Sequence, residues 1–200
     1  MKNFEIYVAD VESTGLDKNL HDIIEVSISR LSNDAQKTWF IKPLNIDTIN
    51  KESLHVNGYL YEDVVGDTEH GRKTFLPATE VLPDIEAWLM EDNLTSSDRI
   101  LAGQNIMGFD KGMLEAFWKK CNAFETYPFN IKYLLDTFQI EFFLDYVMNI
   151  DSEGYSLHNL CKKYGVKNDK SHTAAADVKA TKEILIKQVE NLRNKLGIQI

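Results

Sequence analysis

An α/β fold is expected from this sequence: a mixed sheet, made of an antiparallel three-strand meander plus parallel strands, flanked by helices. Three observations point there. Residues 4–12 alternate at strand period, with Phe4, Ile6, Val8, Asp10 and Glu12 on one face and Glu5, Tyr7, Ala9 and Val11 on the other. Two more strand-like runs follow across short connections, which favours antiparallel neighbours. From residue 77 onward, helical and strand-like patterns alternate, as in a sheet layered with helices.

The first strand ends where Gly15 marks a turn, so Asp10 and Glu12 emerge together at its exit. Ile23 to Leu31 reads as the second strand and Lys37 to Ile41 as the third, stopped by Pro43. Asp47 to Val56 is expected to hold a short helix. Leu60 to Phe75 is polar, contains two glycines and reads as an excursion over the surface. Pro77 opens a helix that carries Val81, Ile85, Trp88 and Leu89 on one face, proline being tolerated in a first turn.

Arg99 to Gly103 is a short buried strand, and Phe109, Met113, Ala116 and Phe117 follow at helical spacing. Tyr133 to Asp136 reads as a strand with Asp136 as a helix cap, then Thr137 to Met148 as a helix. Ser156 to Tyr164 is a helix that Gly165 stops, and Thr173 to Lys195 is a long final helix. No repeat, low-complexity tract or Pro/Gly/Ser linker interrupts the chain. Its 200 residues are therefore read as one domain spanning 1–200.

The composition suits a soluble globular protein, and no stretch approaches the roughly 20 apolar residues of a membrane span. The N-terminus lacks the long apolar region of a signal peptide, which makes a cytoplasmic location the expectation. Cys121 and Cys161 are isolated and lack metal-site spacing, so both read as reduced thiols. A net charge of −9 argues against a protein that grips nucleic acid by bulk electrostatics. From Asn159 onward, however, nine Lys/Arg face four Asp/Glu. Lys162, Lys163, Lys167 and Lys170 lead toward His172, and read either as a solvated helix face or as a local basic rim for phosphates.

Chemistry concentrates in five residues: Asp10, Glu12, Asp110, His172 and Asp177. Each alone has an ordinary explanation as a turn residue, a helix-start acid or a solvated loop histidine. Jointly they describe carboxylates gathered at one point. These stay ionised together only when cations neutralise them, and Mg²⁺ or Mn²⁺ is the usual choice for an all-oxygen site. Two such ions about 3.5–4 Å apart catalyse phosphodiester hydrolysis, so the set points to a metal-dependent nuclease. Glu25, between Ile24 and Val26, reads instead as a satisfied polar residue of the sheet.

Three segments carry a family resemblance. They are Asp10-Val11-Glu12-Ser13-Thr14-Gly15-Leu16, then Gly103-Gln104-Asn105-Ile106-Met107-Gly108-Phe109-Asp110, then His172-Thr173-Ala174-Ala175-Ala176-Asp177. In this order, the chain resembles the DEDDh 3′–5′ exonucleases of the DnaQ-like group, on a ribonuclease H-like fold. Three residues separate Asn105 from Phe109 where many relatives have two. Asn57 stands where proofreading relatives often carry a histidine.

The resemblance implies two divalent cations. Asp10 would bridge them, Glu12 and Asp177 would hold the ion of the attacking water, and Asp110 would support the second. His172 would be the general base. Ser13 and Thr14 would hold the terminal nucleotide through the backbone, Leu16 would wedge against its base, and Asn105 and Phe109 would line the pocket. The implied activity is 3′–5′ hydrolysis of single-stranded DNA with a free 3′ end to nucleoside monophosphates, in proofreading, repair or trimming, with a polymerase or repair partner. An exoribonuclease or oligoribonuclease is the alternative enzyme, because sugar preference depends on pocket shape. An inactive partner-binding module of the same fold is the non-enzyme alternative, and the intact acid set counts against it.

Overall fold

The computed structural model describes residues 4–66, 74–168 and 173–198, which form five strands and seven helices. The strands are β1 (Glu5–Ser13), β2 (Ile23–Arg30), β3 (Gln36–Phe40), β4 (Arg99–Gly103) and β5 (Leu134–Asp136). The helices are α1 (Lys51–Val56), α2 (Tyr61–Val65), α3 (Ala78–Met90), α4 (Asp110–Lys120), α5 (Thr137–Met148), α6 (Leu157–Tyr164) and α7 (Ala174–Leu196). The expected helix at 47–56 begins instead as a single 3₁₀ turn, Ile46–Thr48, with α1 capped separately by Asn50.

The sheet order is β3-β2-β1-β4-β5. β1 pairs antiparallel with β2 and β2 with β3, while β1–β4 and β4–β5 are parallel. This is the expected meander with parallel strands added, and β1 is its central strand. Both faces of β1 are covered. Tyr7, Ala9 and Val11 pack against Val81, Ile85 and Leu89 of α3 and Met113, Leu114 and Phe117 of α4. Val8, on the face shared with Asp10 and Glu12, packs against Val178 and Leu185 of α7. Period-two alternation thus sends the two acids toward α7, whose Val178 and Leu185 pack on the sheet while Ile184 packs with α6 and Gln188 bonds to α5.

At the opposite end of the sheet, Arg99 holds the carboxylate of Asp92 through Nε at 2.8 Å and a terminal guanidinium nitrogen at 2.7 Å. The Tyr7 hydroxyl donates to the same carboxylate at 2.5 Å. Burial, then the bond to Asp92, pushes the Tyr7 phenol up beyond its ordinary range. This buried cluster pins the start of β1 and β4, far along the strands from their C-terminal ends.

Two expectations are corrected. The stretch at 60–75 is not a simple polar excursion. Tyr59, Val64 and Phe75 are buried with Ile24 and Leu54 in a second apolar cluster, and Tyr61–Val65 is helical. Residues 67–73, with His70, lie outside the described residues. The lysine rim also changes character. Lys162 pairs with Glu153 at 2.9 Å. Lys163 turns inward to Glu141 at 2.7 Å and Asp145 at 2.5 Å, both fully enclosed. Lys167 is exposed, and Lys170 lies outside the described residues.

Glu141 also accepts from the Tyr164 hydroxyl at 2.6 Å and from Gln188 Nε2 at 2.8 Å. Burial works against the Lys163 charge, but the bonds to Asp145 and Glu141 outweigh it and hold its pKa above the ordinary lysine value. That raised value means the ammonium stabilises the fold throughout the neutral range and is lost only at strongly alkaline pH. Removing it would strand two buried carboxylates. Lys163→Ala is expected to cost about 3 kcal/mol at pH 8. Urea denaturation at pH 8 measures this, and a deficit under about 1 kcal/mol, the range of an exposed ion pair, would contradict it.

Candidate metal and nucleic-acid site

The site forms at the C-terminal end of β1. Glu12 stands opposite Glu25 of β2, and the register slips immediately afterward, between Glu12 and Ser13. This bulge frees the chain to turn, and Gly15 fits because any Cβ there would meet the His21 ring at 2.5 Å. Asp177 arrives from the first turn of α7, whose cap is Thr173. Carboxylate oxygens of Asp10, Glu12 and Asp177 all lie within 4.8 Å of one another. The structure thus brings these three acids together.

Asp110, from α4, acts on Asp10 through its charge but stands outside that group of three. β4 ends at Gly103, which must be glycine because a Cβ would stand 2.8 Å from the Ala9 carbonyl oxygen. Beyond that end, the Val11 N–H donates to Asp110 Oδ1 at 3.0 Å instead of to a strand. Asp110 is buried, and that burial raises its pKa to about 7 against the lowering effect of the Val11 and its own backbone N–H bonds, with the charge of Asp136 adding to the rise. Part of Asp10 reaches solvent, yet desolvation, followed by the charges of Asp110, Glu12, Asp177 and Glu25, holds it well above the usual carboxylate range. The neighbours acting most strongly on Asp10 are therefore acids.

The three-residue spacer after Asn105 is a built turn. Ile106 is fully buried. Asp136 accepts from the Asn105 N–H at 2.9 Å and the Met107 N–H at 3.2 Å, besides capping α5 through the Phe138 N–H at 3.0 Å. Asn105 sits at φ +53, a left-handed conformation that asparagine tolerates, and Gly108 leaves room for its amide. Asp136 is thus a helix cap, as its sequence suggests, and also the latch of this loop, which the sequence did not disclose.

The other expected contacts are placed as follows. Leu16 is 82 % exposed beyond the turn. Asn105 is exposed and Phe109 half-buried at the start of α4. Ser13 and Thr14 are buried, and their polar groups already have partners. The Thr14 N–H donates to the Asp22 carbonyl at 2.9 Å, and the Ser13 carbonyl accepts from Asn57 Nδ2 at 3.1 Å. Asn57 therefore braces the first motif. His172 lies outside the described residues. One further residue emerges that no local pattern flagged: Asn168 donates from Nδ2 to Asp177 Oδ1 at 2.6 Å. Glu25, read from the sequence as a satisfied polar residue of the sheet, is buried opposite Glu12 and accepts from the Tyr59 hydroxyl.

A family model described as Exonuclease, of the RNase T type, matches residues 7–185. The chain belongs to the exonuclease family. Within it, the ordered motifs and the mixed sheet are those of the DnaQ-like 3′–5′ exonucleases on a ribonuclease H-like fold. It is 25% identical over 198 residues to the PolC-type DNA polymerase III of Staphylococcus aureus. The same identity is found with that of Staphylococcus epidermidis. The aligned region is 99% of this chain but 12% of each of those polymerases. E. coli Exonuclease I in complex with a dT13 oligonucleotide shares the fold, with a TM-score of 0.71 at 16% identity over 96% of this chain and 42% of that one. Exonuclease I from Methylocaldum szegediense does so with a TM-score of 0.71 at 19% identity, over 95% of this chain and 41% of that one. This exonuclease domain has, among the described residues, no helix long and apolar enough to cross a membrane.

The raised Asp110 pKa fixes a sign. With metal chelated, the folded protein takes up a proton near pH 7, whereas the unfolded carboxyl does so only near ~4. Stability from this group is therefore greatest in acid and is lost as pH rises through about 7. Asp110→Asn keeps an acceptor for the Val11 N–H and removes the titration. It is expected to flatten the fall in Tm between about pH 5 and 8 and to raise apo stability at pH 8 by on the order of a few kcal/mol. Melting curves in chelator report this directly, and an unchanged slope would refute it.

Proposed function

We propose that this chain is a metal-dependent 3′–5′ exonuclease that degrades single-stranded DNA from a free 3′ end and releases nucleoside monophosphates. The observation that carries the reading is the meeting of Asp10, Glu12 and Asp177, with Asp110 anchored behind them on Val11. The donors are all hard oxygens, and the charges around Asp10 are mutually repulsive, so the set suits Mg²⁺ or Mn²⁺. Asp10, Glu12 and Asp177 would hold the cations, two in number, and Asp110 would complete the set. Bound cations supply an acidified water and a sink for charge on the departing 3′ oxygen.

The chain's own residues supply the rest. His172, five positions before Asp177, would take the proton of the attacking water, a role that an imidazole titrating near ~6.5 fills around neutrality. Asn168 keeps the Asp177 carboxylate turned in the orientation seen here. Leu16 would wedge against the terminal base, Asn105 and Phe109 would line the pocket, and Ser13 and Thr14 would form its floor. Such contacts grip a sugar-phosphate end without reading sequence. DNA is favoured over RNA because Exonuclease I holds a deoxyoligonucleotide and PolC is a DNA polymerase. We read residues 1–200 as a single domain acting in the cytoplasm, with a polymerase or repair protein as the expected partner.

Asp10→Ala is expected to abolish hydrolysis without unfolding the chain, because it removes the central ligand and relieves repulsion. His172→Ala should lower turnover by roughly 10²–10⁴ while metal affinity, measured by calorimetry, stays nearly intact. Near-native turnover of Asp10→Ala at saturating Mg²⁺ would refute the assignment.

Polarity and substrate are tested together. Labelled single strands of DNA and RNA, each with the 3′ or the 5′ end blocked, are incubated with Mg²⁺ or with chelator. The expected result is Mg²⁺-dependent loss of mononucleotides from 5′-blocked DNA only. Faster release from RNA would move the reading to an exoribonuclease, and cleavage of circular strands would indicate an endonuclease.

A further inference from the structure

Helix α5 turns its charge inward, beside Thr137 and Leu144. Its only charged side chains, Glu141 and Asp145, are buried. Its outer face presents Phe142, Phe143, Tyr146 and Val147, with Phe143 62% and Tyr146 77% exposed. Surface helices normally place such residues the other way round. Here the chain spends Lys163, Tyr164 and Gln188 on the two enclosed carboxylates. Burying acids in that way leaves the aromatic face in water, and an arrangement costly on both sides is expected only where something else covers the outside.

The patch extends onto α7. Gln188 of α7 contacts Thr137 and Glu141, and Lys195 reaches Met148, so the two helices run side by side in the same direction. Leu192 and Leu196 follow Gln188 at intervals of four along one row of α7, and both are exposed. With the four residues of α5, they offer on the order of 700 Å² of apolar surface, judged from ordinary side-chain sizes. This exceeds what a monomer normally leaves bare and approaches the share of about 800 Å² per partner in a stable interface.

We propose that this α5–α7 face is a homodimer interface, occupied by the same face of a second copy of this chain. Charge favours that occupant. Two chains each carrying −9 repel wherever acids meet, and the outer face of α5 carries no charged side chain at all. A nucleic-acid strand is disfavoured for the same reason: the outer face of α5 itself presents only uncharged side chains, Lys195 is engaged with Met148 at the end of the helix, and of the neighbouring α6 lysines, Lys162 pairs with Glu153 and Lys163 with the two enclosed carboxylates. A two-fold contact would set α5 against its symmetry mate and let the aromatic rows interleave.

The test is sedimentation velocity on the full chain over a concentration series up to ~100 µM, where an interface approaching standard size is expected to be populated. Wild type should sediment as a dimer. The double variant Phe143→Glu, Tyr146→Glu should be monomeric with an unchanged circular dichroism spectrum, and Leu44→Glu, an exposed apolar site elsewhere, should remain dimeric. Leu196→Lys provides a second disruption should the double variant fail to fold. A wild-type monomer at every concentration overturns the proposal, whatever other molecule the face binds. Dimers that persist when Leu196→Lys and a folded double variant are examined place the interface elsewhere and overturn it equally.

Discussion

Carboxylates crowded at the end of β1 are the constraint around which the rest of the fold is organised. Left to themselves, Asp10, Glu12 and Asp177 would turn apart, and burial together with acidic neighbours holds Asp10 well above the usual carboxylate range. The frame denies them that movement. β1 is central and covered on both faces, so Asp10 and Glu12 cannot move without disturbing Val8 and its contacts on α7. Asp177 is fixed by a helix packed on the same sheet and by the Asn168 amide. Asp110 is tied to the Val11 main chain. At the far end of the strands, the Arg99–Asp92–Tyr7 cluster anchors β1 and β4 so that their C-terminal ends hold position. Repulsion retained in this way is what makes such a point receptive to divalent cations.

The same molecule handles a second pair of clustered acids differently. Glu141 and Asp145 lie deeper than Asp10, yet Lys163 supplies their countercharge from within, and Tyr164 and Gln188 fill further acceptor positions of Glu141. That cluster is closed: its cation is a side chain, and its geometry serves to join α5, α6 and α7. Around Asp10, the strongest charged neighbours are acids, and the groups that orient the set include a backbone N–H and an amide. Amides orient a carboxylate without cancelling its charge. The contrast separates a structural use of buried acids from one suited to chemistry.

Much of this was legible in the sequence because it depends on short-range pattern. Strand period put Asp10 and Glu12 on one face, and Gly165 announced the end of α6. β4 and α5 have the expected boundaries, as each is bracketed by strong local signals. What escaped depends on long-range contact. Asp136 looked like a cap and is one, but its hold on Asn105 and Met107 joins residues some thirty positions apart. Asn168 has no motif around it, since its importance comes only from where the α6–α7 connection passes. Residues 60–75 read as surface from composition, yet the buried members at and beside that stretch, Tyr59, Val64 and Phe75, are scattered and meet only in space.

Helix α5 exposes the limit of pattern most clearly. Its apolar residues, from Phe138 to Met148, lie all round the helix, so the pattern does not say which face is inside. Ordinary hydrophobic logic would bury Phe142, Phe143 and Tyr146 and solvate Glu141 and Asp145. The decision was reversed by a residue on another element, Lys163, which reads locally as one of a row of surface lysines. With that ammonium in place, the two carboxylates are stabilised inside, beside Leu144, and the helix is held with its charged side inward. A lysine that resembles part of a phosphate-binding rim is therefore committed to two buried carboxylates. It determines which surface α5 and α7 offer to the outside, and so links the packing of the C-terminal helices to association of the whole domain.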